Sequence, residues 1–422
     1  MNKNIVIAAI VAIVLVGAAG AFLYYQNRPG ATIKDDITSA NVYNMTWGQI
    51  LSMARGETVN FYMYGGDPNV DSYIQNQVTQ EAANYGITLK PVFVTTASVF
   101  VNKIESDKQA GITSGGAVDL IWVNGANFLT LQQGNMLFGP WADILPNSVL
   151  VNWTDPSVSK DMGYPVNYYE SPWGTAQFQM IYNSADFNVS ELPQNYTQLL
   201  QWCEAHPGQF TYTAPPDFYG DTFIKAALYE LTGGYQQYEN PNITLSQFEN
   251  MSAPLYSYLK ALEPYLWDQG KTYPSNIDQL NQMFSNGQVS LTMTFDGAGI
   301  EPMIATGQLP STAKVYCMNT SIANTNYVAI PYDAGSKAAA MVVANMLLDP
   351  NQQASWVQLT GNGPAIDASM LTGWRAADIA NSTGTFPAGT FVSQSQMDMT
   401  KAPDLGGIVT YLDNLWEQEI GQ

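Results

Sequence analysis

Three strand patterns alternate with three helical patterns between Thr58 and Gln133, and this alternation restricts the possible folds more than any other feature of the sequence. In the first pattern Val59, Phe61 and Met63 recur at every second position, which is the periodicity of a strand. The third pattern, Val118–Val123, is an almost continuous apolar run, typical of a strand covered on both faces. A β-α-β-α-β-α series of this kind predicts a doubly wound α/β domain with a parallel sheet.

A second series of strand and helix patterns begins near Gln177. Strands are predicted at Phe178–Tyr182, Phe210–Thr213 and Val289–Phe295, with helical patterns between them, and a further strand is predicted at Tyr327–Ile330. Two consecutive α/β series predict two lobes, with the chain crossing between them. The cleft between such lobes is the natural place for a ligand.

Apolar residues at helical spacing predict the helices. Those with the clearest boundaries are Trp47–Ala54, Tyr196–Ala205, Ile277–Ser285 and Lys337–Leu348. The last of them is apolar almost all round, so we expect it to be buried. The predicted division of the chain is an N-terminal membrane anchor or signal (1–27), a linker (28–56), a first lobe (57–176 plus about 322–362) and a second lobe (177–321 plus about 363–422).

The N-terminus carries an uncharged, mostly apolar run, Ile5–Tyr25, which follows Lys3. As a helix this run would be about 31 Å long, enough to cross the hydrocarbon core of a bilayer. The apolar part of a signal peptide is usually shorter, about 7–15 residues, although Ala19–Ala21 offers a cleavage site. The sequence therefore favours a retained anchor, with a cleaved signal as the alternative, and either one places the body outside the cell.

The charge balance excludes some classes of partner. Fifteen Lys and Arg residues stand against thirty-five Asp and Glu residues, a net charge of −20. This balance argues against nucleic acid, because phosphate binding needs clustered basic side chains. Charged residues make up only 12% of the chain and there is a single histidine, a composition that favours an acidic exterior.

Two further features bear on the extracellular environment. Cys203 and Cys317 could pair, or they are two small buried side chains. Together the Asn-x-Ser/Thr sequons are compatible with a glycosylated surface. They begin at Asn44, Asn152, Asn188, Asn195, Asn242, Asn250, Asn319 and Asn381.

The sequence offers little support for an enzyme. The only histidine, His206, lies at the end of a predicted helix, where an imidazole can meet the last carbonyl groups. Cys203 shares its helix face, but two ligands do not make a zinc site. No phosphate-binding Gly-x-x-x-x-Gly-Lys-Ser/Thr motif is present, and we expect no cofactor. A glycosidase with paired carboxylates and a structural surface-layer protein remain as alternatives.

Six separated motifs, in this order and spacing, resemble the YnjB-type group of extracellular solute-binding proteins of ABC importers. The resemblance covers about Thr58 to Leu359 and fades beyond it. The motifs are Tyr64–Asp67, Val118–Phe128, Leu137–Trp141, Ser171–Gln177, Pro215–Phe218 and Asn324–Pro331.

This resemblance implies a two-lobed type II periplasmic-binding fold, joined by hinge crossings, that closes around a small solute. The expected partners are that solute and the permease and ATPase subunits of the importer, with a membrane attachment through the N-terminal helix. The protein is expected to be a monomer without enzymatic activity. A membrane-spanning N-terminus departs from the bacterial members and suits an archaeal surface protein.

Candidate ligand contacts follow predicted strands or lie near the predicted crossings. Ligands bind outside the carboxyl ends of strands in open α/β sheets, where glycines allow close approach and amides offer donors and acceptors. Turn formation, helix capping and hinge packing are the alternative roles for these residues. None is Lys or Arg, which favours a cationic or neutral solute. The candidates are Gly65, Gly66, Asp67, Asn124, Asn127, Trp173, Gln177, Asp217, Phe295, Asp296, Asn324 and Asn326.

Overall fold

The computed structural model describes residues 37–240, 242–295, 299–371, 379, 386–392 and 401–421. The predicted anchor or signal, the candidate contact Asp296 and the sequon at Asn381 lie outside these residues. Within them, no helix combines the length and the apolar character needed to cross a membrane.

Strands and helices alternate along most of the described chain. The strands are β1 (Thr58–Tyr64), β2 (Thr88–Val94), β3 (Leu120–Val123), β4 (Lys160–Asp161), β5 (Tyr164–Pro165), β6 (Glu170–Gln177), β7 (Gln179–Asn183), β8 (Leu291–Thr294), β9 (Ala313–Tyr316), β10 (Ser321–Ala329) and β11 (Lys401–Pro403). The α-helices are α1 (Trp47–Ala54), α2 (Pro68–Tyr73), α3 (Thr79–Asn84), α4 (Ser98–Gln109), α5 (Gly125–Gln133), α6 (Pro156–Ser159), α7 (Tyr196–Ala205), α8 (Phe218–Thr232), α9 (Leu245–Leu262), α10 (Ile277–Ser285), α11 (Glu301–Ala305), α12 (Lys337–Leu347), α13 (Pro350–Thr360) and α14 (Val409–Glu419).

Side-chain caps explain several helix boundaries. The Thr46 side chain accepts a hydrogen bond from the backbone of Gln49, and the Gln49 side chain accepts one from the backbone of Thr46, so α1 begins with a capping box. Asn195 caps α7 and Asn276 caps α10 in the same position. Almost every residue of α12 is buried, as its apolar pattern predicts.

The sheet of the first lobe has the strand order β11-β10-β3-β1-β2, and β6 also pairs with β10. β1 is parallel to both β2 and β3, which confirms the predicted parallel sheet for these three strands. β10 is antiparallel to β3 and to β6, because β6 leaves this lobe and β10 returns to it. The doubly wound pattern that the sequence predicts is therefore seen in β1, β2 and β3.

The sheet of the second lobe has three strands, with β7 in the middle and antiparallel to both β8 and β9. The predicted strand at Phe210–Thr213 is wrong. The carbonyl of Phe210 accepts a hydrogen bond from Trp267 N at 2.8 Å, and Ala214 N donates to Pro274 O at 2.8 Å, so this segment bonds to loops. All four residues of this segment are buried, so the polar and apolar side chains do not mark two faces of a strand.

In the part of the chain that the structure describes, three segments connect the lobes. β6 and β10 run side by side in opposite directions, with Gln177 opposite Ala323 near the second lobe. The third connection is the segment 386–392. Phe386 packs in the first core and Val392 in the second, and the carbonyl of Thr390 accepts a hydrogen bond from Ile300 N at 2.8 Å.

Separate hydrophobic cores give the lobes a physical basis. The second core contains Leu412, Leu415 and Trp416 of α14, so the C-terminal helix packs with the second lobe. Ala365 and Ile366 pack in the first core, although the sequence places them in the second lobe. The predicted lobe boundaries remain a prediction, and this packing favours a final boundary nearer residue 392.

Candidate functional site

The strand pairing places the carboxyl ends of β1 and β3 toward the second lobe. Ile121 of β3 pairs with Ala329, and Val123 pairs with Tyr327, closer to the start of β10 in the second lobe. The carboxyl end of β3 therefore points toward the second lobe. β1 is parallel to β3 and points the same way. We call residues 64–67 and 122–124, at these strand ends, the first rim.

A second set of residues faces the first lobe. β8 is antiparallel to β7, and Thr294 pairs with Gln179, just beyond the crossing of β6 into the second lobe. Phe295 follows Thr294 at this end, and its ring centroid lies 5.0 Å from that of Phe218. We call residues 217–219 together with Phe295 the second rim.

Each rim carries a half-exposed aromatic ring. Tyr64 is 51% exposed and Phe218 is 39% exposed. Both rings rest on a further aromatic side chain: the ring centroids of Tyr64 and Trp122 are 6.4 Å apart, and Phe218 packs on Phe295. Aromatic faces of this kind can stack on a ring or hold a cation. Neither ring is among the predicted contacts, although both occur in the motifs that carry the family resemblance.

The turn at Gly65, Gly66 and Asp67 lies in the first rim. A side chain at Gly65 would place its Cβ 2.6 Å from the Cβ of Phe93, so packing requires glycine there. The Asp67 Oδ1 accepts hydrogen bonds from Asn69 N at 2.9 Å and Val70 N at 3.2 Å, which caps α2. Burial raises the pKa of Asp67, and these two hydrogen bonds oppose the increase. The turn and cap roles are therefore present, and solute contact remains a prediction.

Asn124, at the end of β3, has its side-chain amide engaged within the protein. Its Nδ2 donates to Asp161 Oδ1 at 3.1 Å and to the carbonyl oxygen of Thr325 at 2.7 Å. Its Oδ1 accepts from Trp122 Nε1 at 3.0 Å. Asn124 is the residue before α5, but its side chain does not cap the helix. Asn127 is exposed on the first turn of α5.

Trp173 lies in the core of the first lobe and is only 1% exposed. Its ring centroid is 4.8 Å from that of Trp356, 5.0 Å from that of Trp122 and 6.4 Å from that of Phe61. This burial agrees with the alternative role of hinge packing. Trp173 would therefore influence a bound solute only by positioning Trp122, which it contacts and which is half-buried at the first rim.

The remaining candidates lie on the crossings or the second rim. Gln177 and Asn326 are buried on β6 and β10, and Asn324 on β10 is half-buried. Asp217 caps α8 through Tyr219 N at 3.1 Å and also accepts from Thr213 Oγ1 at 2.6 Å. Phe295 is largely buried behind Phe218. The strand pairing therefore places candidates of both lobes at strand ends that point toward the crossings, and their contact with one solute remains a prediction.

Two buried carboxyl groups behind the first rim were not identified from the sequence. Asp161 and Glu170 both have an exposed fraction of 0%. Burial raises the pKa of Asp161 to about 7, against the hydrogen bonds from Asn124 and Gly125. Burial also raises the pKa of Glu170 well above its usual value, and neither of its carboxyl oxygens has a hydrogen-bond partner among the described residues. No spacing or motif in the sequence marks either residue.

Other candidate chemistry lies away from this region. A polar depression of about 600 Å³ on the second lobe is lined by Asn195, Glu230 and Asn319, among others, and by none of the predicted contacts. In the described part of the chain, no group of three or more His, Cys, Asp or Glu side chains is arranged to hold a metal ion.

The surroundings of the single histidine and the two cysteines indicate structural roles for these residues. The His206 ring packs on Trp202, 4.9 Å between ring centroids, at the end of α7, in agreement with its predicted structural role. No disulfide joins Cys203 and Cys317, so the alternative of a disulfide between them is wrong.

Comparison with known proteins shows the family to which the chain belongs. The profile of the family described as "Bacterial extracellular solute-binding protein" matches residues 77–383. The chain belongs to this family of solute-binding proteins, and the prediction that it is not an enzyme is confirmed by that membership.

Among individual relatives, the chain is 38% identical over 310 residues to Protein YnjB of Escherichia coli (strain K12), which covers 73% of this chain and 78% of YnjB. This similarity confirms the family resemblance found in the sequence.

Solved structures confirm the mixed α/β fold. An ABC transporter from Clostridium perfringens ATCC 13124 superposes with a TM-score of 0.60 at 12% identity, covering 86% of this chain and 99% of that one. The Tp0655 (TpPotD) lipoprotein of Treponema pallidum gives a TM-score of 0.59 at 12% identity, with 86% and 100% covered. A putative spermidine/putrescine ABC transporter from Listeria monocytogenes gives 0.55 at 14% identity, with 86% and 99% covered.

Proposed function

We propose that this chain captures a small cationic or neutral solute between its two rims and delivers it to the permease and ATPase subunits of an ABC importer. The observation that supports the proposal is that the strand pairing directs both rims toward the crossings between the lobes, and that each rim has a half-exposed aromatic ring, Tyr64 on one and Phe218 on the other. No rim residue is Lys or Arg, and both rims contain a carboxylate, Asp67 and Asp217. Aromatic faces and carboxylates together favour a cation or a neutral ring over an anion.

The proposed binding step is a change of conformation without chemistry. A solute that touches both rims stabilises the closed arrangement relative to the open one and so shifts the population toward it. A shift from 1:99 to 99:1 requires a preference of roughly 5.5 kcal/mol between the two states. Bending at the three connections, β6, β10 and the segment 386–392, would bring the lobes together. In this proposal Trp173 supports Trp122 from behind and does not touch the solute.

The proposed setting is the outer face of a cell membrane, with the apolar run near the N-terminus as the attachment. Glycans on the surface are part of this proposal. Five of the sequon asparagines are exposed and two are half-buried, so most of them are accessible for modification. The exposed residues are Asn44, Asn188, Asn242, Asn250 and Asn319, and the half-buried ones are Asn152 and Asn195.

The test is a thermal-shift screen followed by binding measurements on rim variants. The screen covers polyamines, thiamine, sugars and metal ions, because a bound solute stabilises the folded state by RT ln(1 + [L]/Kd). Polyamines are included because one structural neighbour is titled a putative spermidine/putrescine transporter.

For the solute that raises the melting temperature most, Tyr64→Ala and Phe218→Ala should each weaken binding by about tenfold or more, the loss expected for one aromatic contact. Tyr85→Ala is the matched control: Tyr85 is 37% exposed and lies before β2, at the opposite end of the sheet from the first rim. An equal loss in all three variants, or no loss in the rim variants, would contradict the proposed site.

A further inference from the structure

Asp161 lies behind the first rim and accepts two hydrogen bonds from the turn that follows β3, at Asn124 and Gly125. Oδ1 accepts a hydrogen bond from Asn124 Nδ2, and Oδ2 accepts one from the backbone N–H of Gly125. Asn124 Nδ2 also donates to the carbonyl oxygen of Thr325 on β10. One buried carboxylate on β4 thus holds the turn after β3, and the Asn124 amide joins the same turn to the strand that returns from the second lobe.

The backbone conformation and the close packing of this turn both require glycine at position 125. Its φ is +59°, a left-handed conformation that glycine adopts without strain. A Cβ at this position would lie 2.5 Å from the sulfur of Met162, the residue after Asp161. The turn and the Asp161–Met162 segment therefore fit closely, and a change in the bonding of Asp161 reaches the first rim directly.

The charged and titratable groups around Asp161 come from several elements. Glu170 on β6 interacts electrostatically with it, and so do Tyr327 on β10 and Asp404 after β11. Asp404 is paired with Lys225 of α8. The neighbouring ammonium group of Lys160 bonds to Glu239 at 2.9 Å, so among the described residues no cation is bonded to Asp161.

We propose that Asp161 is a positioning residue for the solute site: its carboxylate fastens the Asn124–Gly125 turn to β4 and thereby fixes the first rim. This inference rests on the proposed function for its effect on solute binding. Its effect on the turn itself can be measured without a solute.

Protonation changes what Asp161 can accept. A carboxylate has acceptor sites on both oxygens, whereas a protonated carboxyl group carries an O–H donor on one of them. The N–H facing that oxygen loses its partner, so one of the two bonds that hold the turn is broken. Because burial raises the pKa of Asp161 to about 7, this change falls in the neutral range. The turn is fastened above that pH and loosened below it.

The first measurement uses the full chain without solute. Trp122 Nε1 donates to Asn124 Oδ1 at 3.0 Å, so its fluorescence reports on the turn, and the difference between wild type and Trp122→Phe isolates its signal. We expect this signal to change with an apparent pKa near 7 in the wild type and in Glu170→Gln, and not to change in Asp161→Asn. If Asp161→Asn does not fold, Asp161→Glu, which keeps a carboxylate at this position and leaves the Trp122–Asn124 bond in place, should keep the transition at a shifted apparent pKa.

The second measurement is the affinity for a solute found by the screen, as a function of pH. Wild-type affinity should be about tenfold higher at pH 8 than at pH 5, the size of one charge-assisted hydrogen bond. Asp161→Asn should show the weaker affinity at both pH values, and Asp161→Glu should restore part of the pH dependence. A pH-independent Trp122 signal in the wild type, or an unchanged affinity profile in Asp161→Asn, would overturn the inference. A normal Trp122 transition with no solute bound would count against the proposed function alone.

Discussion

Removing the buried cation Lys225 should destabilise the second lobe strongly. Lys225 on α8 is 3% exposed and forms an ion pair with Asp404, which is also 3% exposed and lies between β11 and α14. Asp221 and Asp413 also interact electrostatically with Lys225. The substitution Lys225→Met keeps a long side chain in place but leaves three carboxyl groups around the site without their cation.

The expected decrease in the free energy of unfolding follows from the burial of the Lys225–Asp404 ion pair. Breaking a buried ion pair by removing one partner typically costs about 3–5 kcal/mol, because the remaining charge stays buried without compensation. The cost should depend on pH. Burial, and then Asp413, raise the pKa of Asp221 to about 8. Loss of Lys225 would raise the pKa of Asp221 and Asp413 further, because Lys225 lowers both. Groups with a raised folded-state pKa contribute stability in acid that is lost as the pH rises, so the deficit should be smallest at low pH.

The assay is urea unfolding of wild type, Lys225→Met and the double variant Lys225→Met/Asp404→Asn at pH 5 and pH 8. The double variant should recover part of the loss, since it removes one of the uncompensated carboxylates.

Lys260→Met is the matched control. Lys260 also forms an ion pair, with Glu419 of the C-terminal helix, but both partners are about half exposed. An exposed pair of this kind is worth about 0–1 kcal/mol. Equal losses in Lys225→Met and Lys260→Met, or a deficit of Lys225→Met that grows in acid, would refute the reasoning.

Two further predictions concern stability. Trp173→Ala should lower the free energy of unfolding by about 3–5 kcal/mol, because it empties a fully buried ring position. Its solute affinity per folded molecule should fall less than that of Phe218→Ala, and the opposite order in calorimetric titration would return Trp173 to the binding site. In the wild type, Asp161, Glu170 and Asp221 have raised pKa values, with burial as the first cause. These groups favour the folded state below their folded-state pKa values, so urea midpoints should be higher at pH 5 than at pH 8. A lower midpoint at pH 5, or loss of compactness at pH 3, would contradict adaptation to an acidic exterior.

The local elements could be predicted well from the sequence where caps and apolar spacing agree. Tyr196–Ala205 and Ile277–Ser285 begin and end as predicted, and each starts after an asparagine that caps it. The periodicity also located β1 correctly. Such signals are local, so they survive without knowledge of the tertiary contacts.

What could not be predicted depends on tertiary contacts. Phe210 and Tyr212 alternate with two threonines as in a strand, but all four residues are buried, and among the described residues their segment pairs with no strand. Trp173 looks like a ligand platform in the sequence and is enclosed by Trp122 and Trp356 in the structure. Asp161 carries no motif at all, because its role comes from residues far away in the chain.

The central claim is that a solute brings the two lobes together, and the most direct test is the distance between them. Fluorescent labels at Asn84→Cys on the first lobe and Glu249→Cys on the second lie on exposed helical positions. The half-buried Cys317 would be replaced by serine in this variant, and Cys203 is buried. Energy transfer between the labels should rise with the concentration of the solute found by the screen, and Phe218→Ala should require about tenfold more solute for the same change. Saturating solute that leaves the transfer efficiency unchanged would contradict the account.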